Sequence, residues 1–258
     1  HRLMLDTLCF VEIIRRKLKL PKFSDMFYSK LNKATNWLFQ FINLNTGKVS
    51  NLGGNDGSNF FLCFNKDVNN YLFSVELSAA VFLNSNVNYK LTNKIYFEIL
   101  NVKKCDNLVK QNELNLFIDG GFNLINYPEA KVIFRFPNFA FRPSQSDILH
   151  IDLFIENNNF LPDSGSYSYT ENSHDQLYDL SESFGHNTVS FDNLSQMKKY
   201  SKFLYINWPK YNFLHKNKFK KQYLYFGSGY THFNGSLHNR IVKFKKNKLI
   251  VIDLLKGI

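Results

Sequence analysis

The chain reads as an α+β protein, with helices first and an antiparallel β-sandwich after them. Three observations predict this. Apolar residues recur at spacings of three and four up to about residue 100. After about Asn112 short strand-like runs follow one another, separated by turn residues. The length of 258 residues suits one large domain or two modest ones. The expected division is 1–111 for the helices and 112–258 for the strands.

The elements follow in order. Leu8, Val11, Ile14 and Leu18 share one helical face, and Pro21 stops that helix. Ser24 and Asp25 are placed to cap the next helix, in which Phe27, Leu31, Ala34, Leu38 and Phe41 repeat the spacing. Asn45-Thr46-Gly47 is a stop signal, and a polar glycine-rich loop, NLGGNDGSN, covers 51–59. A third helix is expected to begin near Asp67 and to carry Leu72, Val75, Ala79 and Phe82. A fourth spans about 93–100. Tandem amphipathic helices with short links pack as antiparallel hairpins. Beyond them, LNLFIDGGFNLIN carries a hairpin signal at Asp119-Gly120-Gly121. Further strands are expected in KVIFRFP, ILHIDLFIE, NTVSFD, FLYIN, QYLYFG, NRIVKFK and LIVIDLL. Pro143 is expected to lead into a strand with Gln145, Asp147 and Leu149 on one face and His150 on the other.

Composition excludes several classes. Hydrophobic residues make up 44%, enough for a core and too many for wholesale disorder. No apolar run reaches 18 residues, so no transmembrane helix is expected. Asp6, Glu12, Arg15 and Arg16 break up the first apolar stretch, which reads as an amphipathic helix and not a signal peptide. Cys9, Cys63 and Cys105 are too few and too scattered for a disulfide framework or a cysteine zinc site. No P-loop, dinucleotide fingerprint, GxSxG elbow or HExxH occurs.

The net charge is +11. Either a basic surface attracts a polyanion, or the charge follows a bias toward Lys, Asn, Phe and Ile. The cations cluster only at Arg15–Lys19, His215–Lys221 and Lys243–Lys248. No nucleic-acid motif accompanies them, so an acidic polysaccharide is the expected polyanion.

Candidate chemistry concentrates in 142–193. Gln145, Asp147, His150, Asp152, Asp163 and His186 recur there beside strand-like apolar residues. Asp163 sits in a Pro-Asp-Ser-Gly turn, and His186 follows Gly185. Carboxylates and imidazoles on such a scaffold offer oxygen and nitrogen ligands to a divalent ion. A lone strand histidine is more often structural. Tyr167 and Tyr169 share a strand face and serve either as aromatic surface or as acid–base groups. A phenol, with a pKa of about 10, takes the second role only beside a positive neighbour. Asn55-Asp56-Gly57 is either a plain turn or a polar lip that contacts substrate hydroxyls.

In this order the segments NLGGNDGS, DGGFNLI, VIFRFPNF, RPSQSDILHIDLF, LPDSGSYSY and GHNTVSFDN, with SQM after them, resemble the heparinase II/III-like polysaccharide lyases. The likeness lies chiefly with their C-terminal domain. It implies an incomplete α/α toroid followed by a β-sandwich, and β-elimination of acidic, uronate-containing polysaccharide. It implies a structural divalent metal, zinc or calcium, at Asp163 and His186, with Gln145 where some members have a ligating histidine. His150 falls at a recurrent family position and is expected as a base or substrate contact. Asn55, Asp56, Tyr167 and Tyr169 are the expected substrate contacts. The family's acid–base tyrosine and carboxylate-neutralising asparagine fall before His1, so the chain is expected to be a fragment without them. The alternative is a non-catalytic glycan-binding or envelope-assembly protein. A bacterial periplasm or cell envelope is the expected location.

Overall fold

The computed structural model describes residues 1–55, 57–61, 67–87, 94–103, 105–139, 141–165, 179–201, 204–246 and 248–257. Asp56, Cys63, Tyr167 and Tyr169 lie outside the described residues. Helices come first and antiparallel sheets follow, an α+β arrangement. Contacts divide the chain into two units. One is His1–Ser50 with Gly57–Asn112, and the other is Asn51–Asp56 with Glu113–Ile258. The glycine-rich loop thus joins the sheets, away from its sequence neighbours.

The first unit holds α1 (Arg2–Lys17), α2 (Asp25–Phe41), α3 (Leu72–Ser78), a π-helical turn at Ala79–Leu83, and α4 (Lys94–Ile99). The Ser24 side chain accepts from Phe27 N–H, so the expected cap is present. Leu31, Leu38 and Phe41 are buried on the expected face of α2. Gly47 has φ +71°, and an added Cβ there would fall 2.2 Å from Asn70 Oδ1. The third helix starts at Leu72, five residues after the sequence signal, because Asp67 and Asn70 first close turns onto the N–H groups of Asn69 and Leu72.

α1 departs from expectation. Val11, Ile14 and Leu18 are exposed, and the buried face carries Arg2, Leu5, Asp6, Cys9 and Glu12. Polar groups on that face have partners. Arg2 donates to the carbonyls of Val68 (2.6 Å) and Ser58 (2.8 Å). Ser74 donates to Asp6, and Glu12 accepts from Arg15, Arg16 and Tyr28. Partnered in this way, charged side chains occupy the buried face, although burial still raises the Asp6 carboxyl, and hydrophobic spacing alone picks the wrong side.

In the second unit β1 (Leu114–Phe117), β2 (Phe122–Tyr127), β3 (Ala130–Arg135), β4 (Ile151–Ile155) and β5 (Asn158–Asn159) form one antiparallel sheet in that order. β6 (Lys198–Ser201) and β7 (Leu204–Ile206) form a small pair. β8 (Tyr211–Lys220), β9 (Tyr223–Thr231), β10 (Leu237–Lys245) and β11 (Lys248–Lys256) form a four-stranded sheet ordered β11-β10-β9-β8. The two larger sheets share one core. Ile125, Val132, Phe134 and Ile151 from one meet Leu224, Phe226, Val242 and Phe244 from the other. Phe134 and Phe226 lie 5.5 Å apart, ring to ring.

The hairpin at Asp119-Gly120-Gly121 forms as expected. Gly121 has φ +71°, and an added Cβ would meet the Arg135 guanidinium and Phe136 O at 2.4 Å. Two strand assignments fail. Residues 144–150 form no strand, with a turn at 148–149, and the strand begins only at Ile151, because Leu149 adopts φ +63° and breaks the extended run. NTVSFD forms only an isolated bridge between Phe191 and Leu194. Its backbone bonds go elsewhere, for example Thr188 N to His186 O.

Candidate metal centre

Three loops of the sheet unit converge at His150, Asp163 and His186. All three residues are buried, and one ligand atom from each lies within 4.8 Å of the others. His186 Nδ1 is 2.9 Å from Asp163 Oδ2. His150 Nε2 is 3.2 Å from Asp152 Oδ2 and 3.7 Å from Asp163 Oδ2. This buried His/Asp/His triad could hold a metal ion.

Local chemistry explains the placement. Gly165, at φ +70°, lets its own N–H reach back to Asp163 Oδ1 at 2.8 Å, an Asx turn that points the other oxygen at the histidines. Gly185 ends a 3₁₀ turn (Ser183–Gly185), where an added Cβ would lie 2.2 Å from Leu180 O. Only glycine lets the chain pass there and deliver His186. Leu149, left-handed and fully buried, turns the backbone so that His150 faces the cluster. That conformation costs a non-glycine residue roughly 1–2 kcal/mol and needs outside support.

Support comes from side chains far along the sequence. Asn187 N–H donates to His150 Nδ1 at 3.0 Å, and its side-chain amide donates to Leu161 O and Ile151 O. Gln196 holds Ile148 from both sides, accepting from its N–H at 2.9 Å and donating to its carbonyl at 2.8 Å. Arg240 donates to Leu149 O at 2.6 Å and to Asn187 O. It thereby grips the residue before one histidine and the residue after the other. Asp253 fixes Arg240 through two hydrogen bonds, of 2.6 and 2.9 Å, and also pairs with His238 at 2.8 Å. Burial by itself raises the Asp253 pKa. The bonds from His238 and Arg240 outweigh this and hold the carboxyl well below its ordinary range.

Donor type and charge fit a cation. Asp152 and Asp163 are both almost completely buried, and among the described residues no Lys or Arg pairs with either. His186 Nε2 is buried without a hydrogen-bond partner there. Burial disfavours the His186 imidazolium, but the Asp163 hydrogen bond and charge outweigh it, so its pKa lies above the usual histidine value. One bond must yield to a metal. Because Asn187 N–H points at His150 Nδ1, the neutral ring carries its proton on Nε2. Holding an ion through Nε2 would require the other His150 tautomer, with the proton on Nδ1 and the Asn187 contact given up.

The other expected residues are placed as follows. Gln145 is buried, and its Oε1 accepts from Gly53 N–H at 2.8 Å, tying down the glycine-rich loop. Gly54 N–H reaches Ser144 Oγ in the same docking. Asn55 is half-buried in that loop. Asp152 belongs to the candidate set of 142–193, whereas Asn187, Gln196, Arg240 and Asp253 are not among the expected site residues. A signal for one of them exists: Asp253, which faces Arg240 across β10 and β11, is the single charge within the apolar run LIVIDLL.

The sequence model described as heparinase II/III-like, C-terminal, matches residues 110–257, more than half of the chain. The chain belongs to the heparinase II/III-like family. Its helices and sheets superimpose on heparan sulfate lyase HepC from Pedobacter heparinus with a TM-score of 0.62, at 18% identity over 98% of this chain and 36% of that one. A mutant of HepC from the same organism gives 0.62 at 16% identity over 98% and 37%. A structure of heparinase III gives 0.54 at 18% identity over 91% and 35%. At such identities the likeness shows the fold alone. This heparinase II/III-like chain therefore spans a little over a third of the length of the solved structures it matches. No curated protein matches it. Among the described residues no helix is long and apolar enough to cross a membrane.

Proposed function

We propose that this chain is the C-terminal portion of a polysaccharide lyase that cleaves acidic, uronate-containing polysaccharide by β-elimination. The helices are then part of an α/α toroid, and the two large sheets are the family's β-sandwich. The family match over 110–257 carries the reading. In that reaction a base removes the C5 proton beside the uronate carboxylate. The C–H electrons form the C4–C5 double bond, the C4–O bond breaks, and an acid protonates the leaving oxygen. The fold likeness and the net charge of +11 support an acidic polymer as substrate.

His150, Asp163 and His186 would hold a divalent ion. Two imidazoles in the set favour zinc over calcium, which takes oxygen ligands. The ion supplies charge neutralisation between buried carboxylates and braces three loops. His150 is completely buried, which supports a place in holding the ion over contact with the polymer's C5 proton. Asn55 stays a candidate substrate contact, as do Asp56, Tyr167 and Tyr169. The test is an assay of the whole gene product on a panel of uronate polysaccharides, following absorbance of the unsaturated product. Silence across the panel with a folded, metal-loaded protein rejects the lyase reading.

A further inference from the structure

Two basic runs of the sequence, His215–Lys221 and Lys243–Lys248, meet on one sheet. β8 and β10 lie on either side of β9. Leu224, Phe226, Val242 and Phe244 point into the shared core. Strand alternation therefore turns Tyr223, Tyr225, Lys243 and Lys245 to the opposite face. The register completes two rows across all four strands. Lys218, Tyr225, Lys243 and Ile250 form one, and the pairs Lys220–Tyr223 and Lys245–Lys248 form the other, joined where Lys245 lies over the Tyr223 ring. The rows are two residues apart, about 7 Å along the strands. Lys243 Nζ sits 5.5 Å from the Tyr225 ring centre, and Lys245 Nζ sits 5.0 Å from that of Tyr223.

Among the described residues the four strands give this face no counter-charge. Across the four strands the one acidic residue is Asp253, and its carboxylate is held by Arg240 and His238. Glu129 lines a small cavity with Lys245 and Lys246 at one end of the sheet. Like charges directly opposite each other in a sheet are destabilising, and Lys245 is paired with Lys248. An anionic partner relieves that repulsion.

We propose that this outer sheet face binds an anionic glycan, a polymer bearing carboxylate or sulfate groups, independently of the buried His/Asp/His cluster. The tyrosines decide between polymer classes. Single-stranded nucleic acid needs open aromatic faces on which to stack bases. Here lysine ammonium groups lie over both rings, which are half-buried. What remains is a grid of charge on rigid strands, suited to a chain that carries its charges on sugars. Binding here needs no cleavage, so a chain inactive as a lyase still binds.

The test measures binding of the full chain to heparan sulfate and to a polyuronate at several salt concentrations. The face variant is Lys218→Gln/Lys243→Gln/Lys245→Gln. A control variant of equal charge, Lys22→Gln/Lys30→Gln/Lys33→Gln, lies on or near α2. A third variant replaces the three face lysines with arginine. We expect the face variant to lose at least tenfold in affinity and to show a flatter salt dependence. The control and arginine variants should bind like wild type, with all melting temperatures unchanged. Equal losses in the face and control variants overturn the proposal, as does failure of wild type to bind either glycan. Tighter, lysine-dependent binding of single-stranded DNA assigns the face to nucleic acid and also overturns it.

Discussion

Asp163 works at the residue scale as a hinge between two imidazoles, with its second oxygen spent on the Gly165 N–H. Asp163→Ala and His186→Ala should each remove bound metal and lower the melting temperature together. Elemental analysis beside thermal unfolding checks this, and unchanged stoichiometry in both variants counts against the site. The pH response has a defined sign. In metal-free protein the raised His186 pKa adds stability that is complete below the ordinary histidine value and is lost as pH rises through the raised value. Metal binding runs the other way and strengthens over the same rise, because the ion needs the neutral ring. Arg240 makes a sharper test. Its guanidinium reaches Leu149 O, Asn187 O and Asp253 at once, a fork that lysine cannot copy. Arg240→Lys should weaken metal binding about 10- to 100-fold, in line with losses at other ligand-orienting partners. Calorimetric titration reads the affinity, and a wild-type affinity in the folded variant would show that the grip on the two loops is idle.

At the element scale, α1 carries the most instructive chemistry. Asp6 is buried against α3, and its carboxyl is raised to about 6, chiefly by burial, with the Ser74 hydrogen bond and Arg2 opposing. A carboxyl raised on folding stabilises fully below its unfolded value near 3.8 and loses that contribution as pH rises through about 6. The loss is at most about 3 kcal/mol, from two pKa units at about 1.4 kcal/mol each. Urea unfolding at pH 5 and pH 8 should show wild type weaker at the higher pH, while Asp6→Asn flattens the difference. An equal slope in the variant would place the pH dependence elsewhere. Sequence periodicity served α2 well, since its apolar stripe has one side. It failed for α1, where apolar residues surround the helix and ion pairs decide which side is buried. β8 escaped notice for a related reason. As an edge strand it is rich in lysine and asparagine, which protects an open edge but hides the strand signal.

For the whole molecule the main fact is two separate cores. One gathers Leu5, Leu38, Phe73 and Leu77 from the helices, and the other gathers Val132, Phe134, Phe226 and Val242 from the sheets. Leu77→Ala should cost about 2–5 kcal/mol and Phe134→Ala about 3–5 kcal/mol. Hydrogen exchange should report each loss mainly in its own unit. Uniform loosening by either variant would mean that the cores unfold as one. The glycine-rich loop qualifies the simple division near residue 112. Its Gly53 and Gly54 are bound by Gln145 and Ser144, so a stretch between helices folds with the sheets.

The amino-acid sequence by itself determined the class and order of the elements, the hairpin at Gly120-Gly121, the cap at Ser24 and two members of the buried cluster. The elements, the hairpin and the cap depend on neighbours within a few residues, which a linear reading sees, and the two cluster members come from the family resemblance. Tertiary structure alone decided that His150 joins Asp163 and His186, and that Gln145 turns to Gly53. It alone revealed Arg240 and Gln196 as supports and gathered two distant lysine runs onto one face. Those outcomes depend on strand register and on bonds between residues tens of positions apart. No local spacing records them.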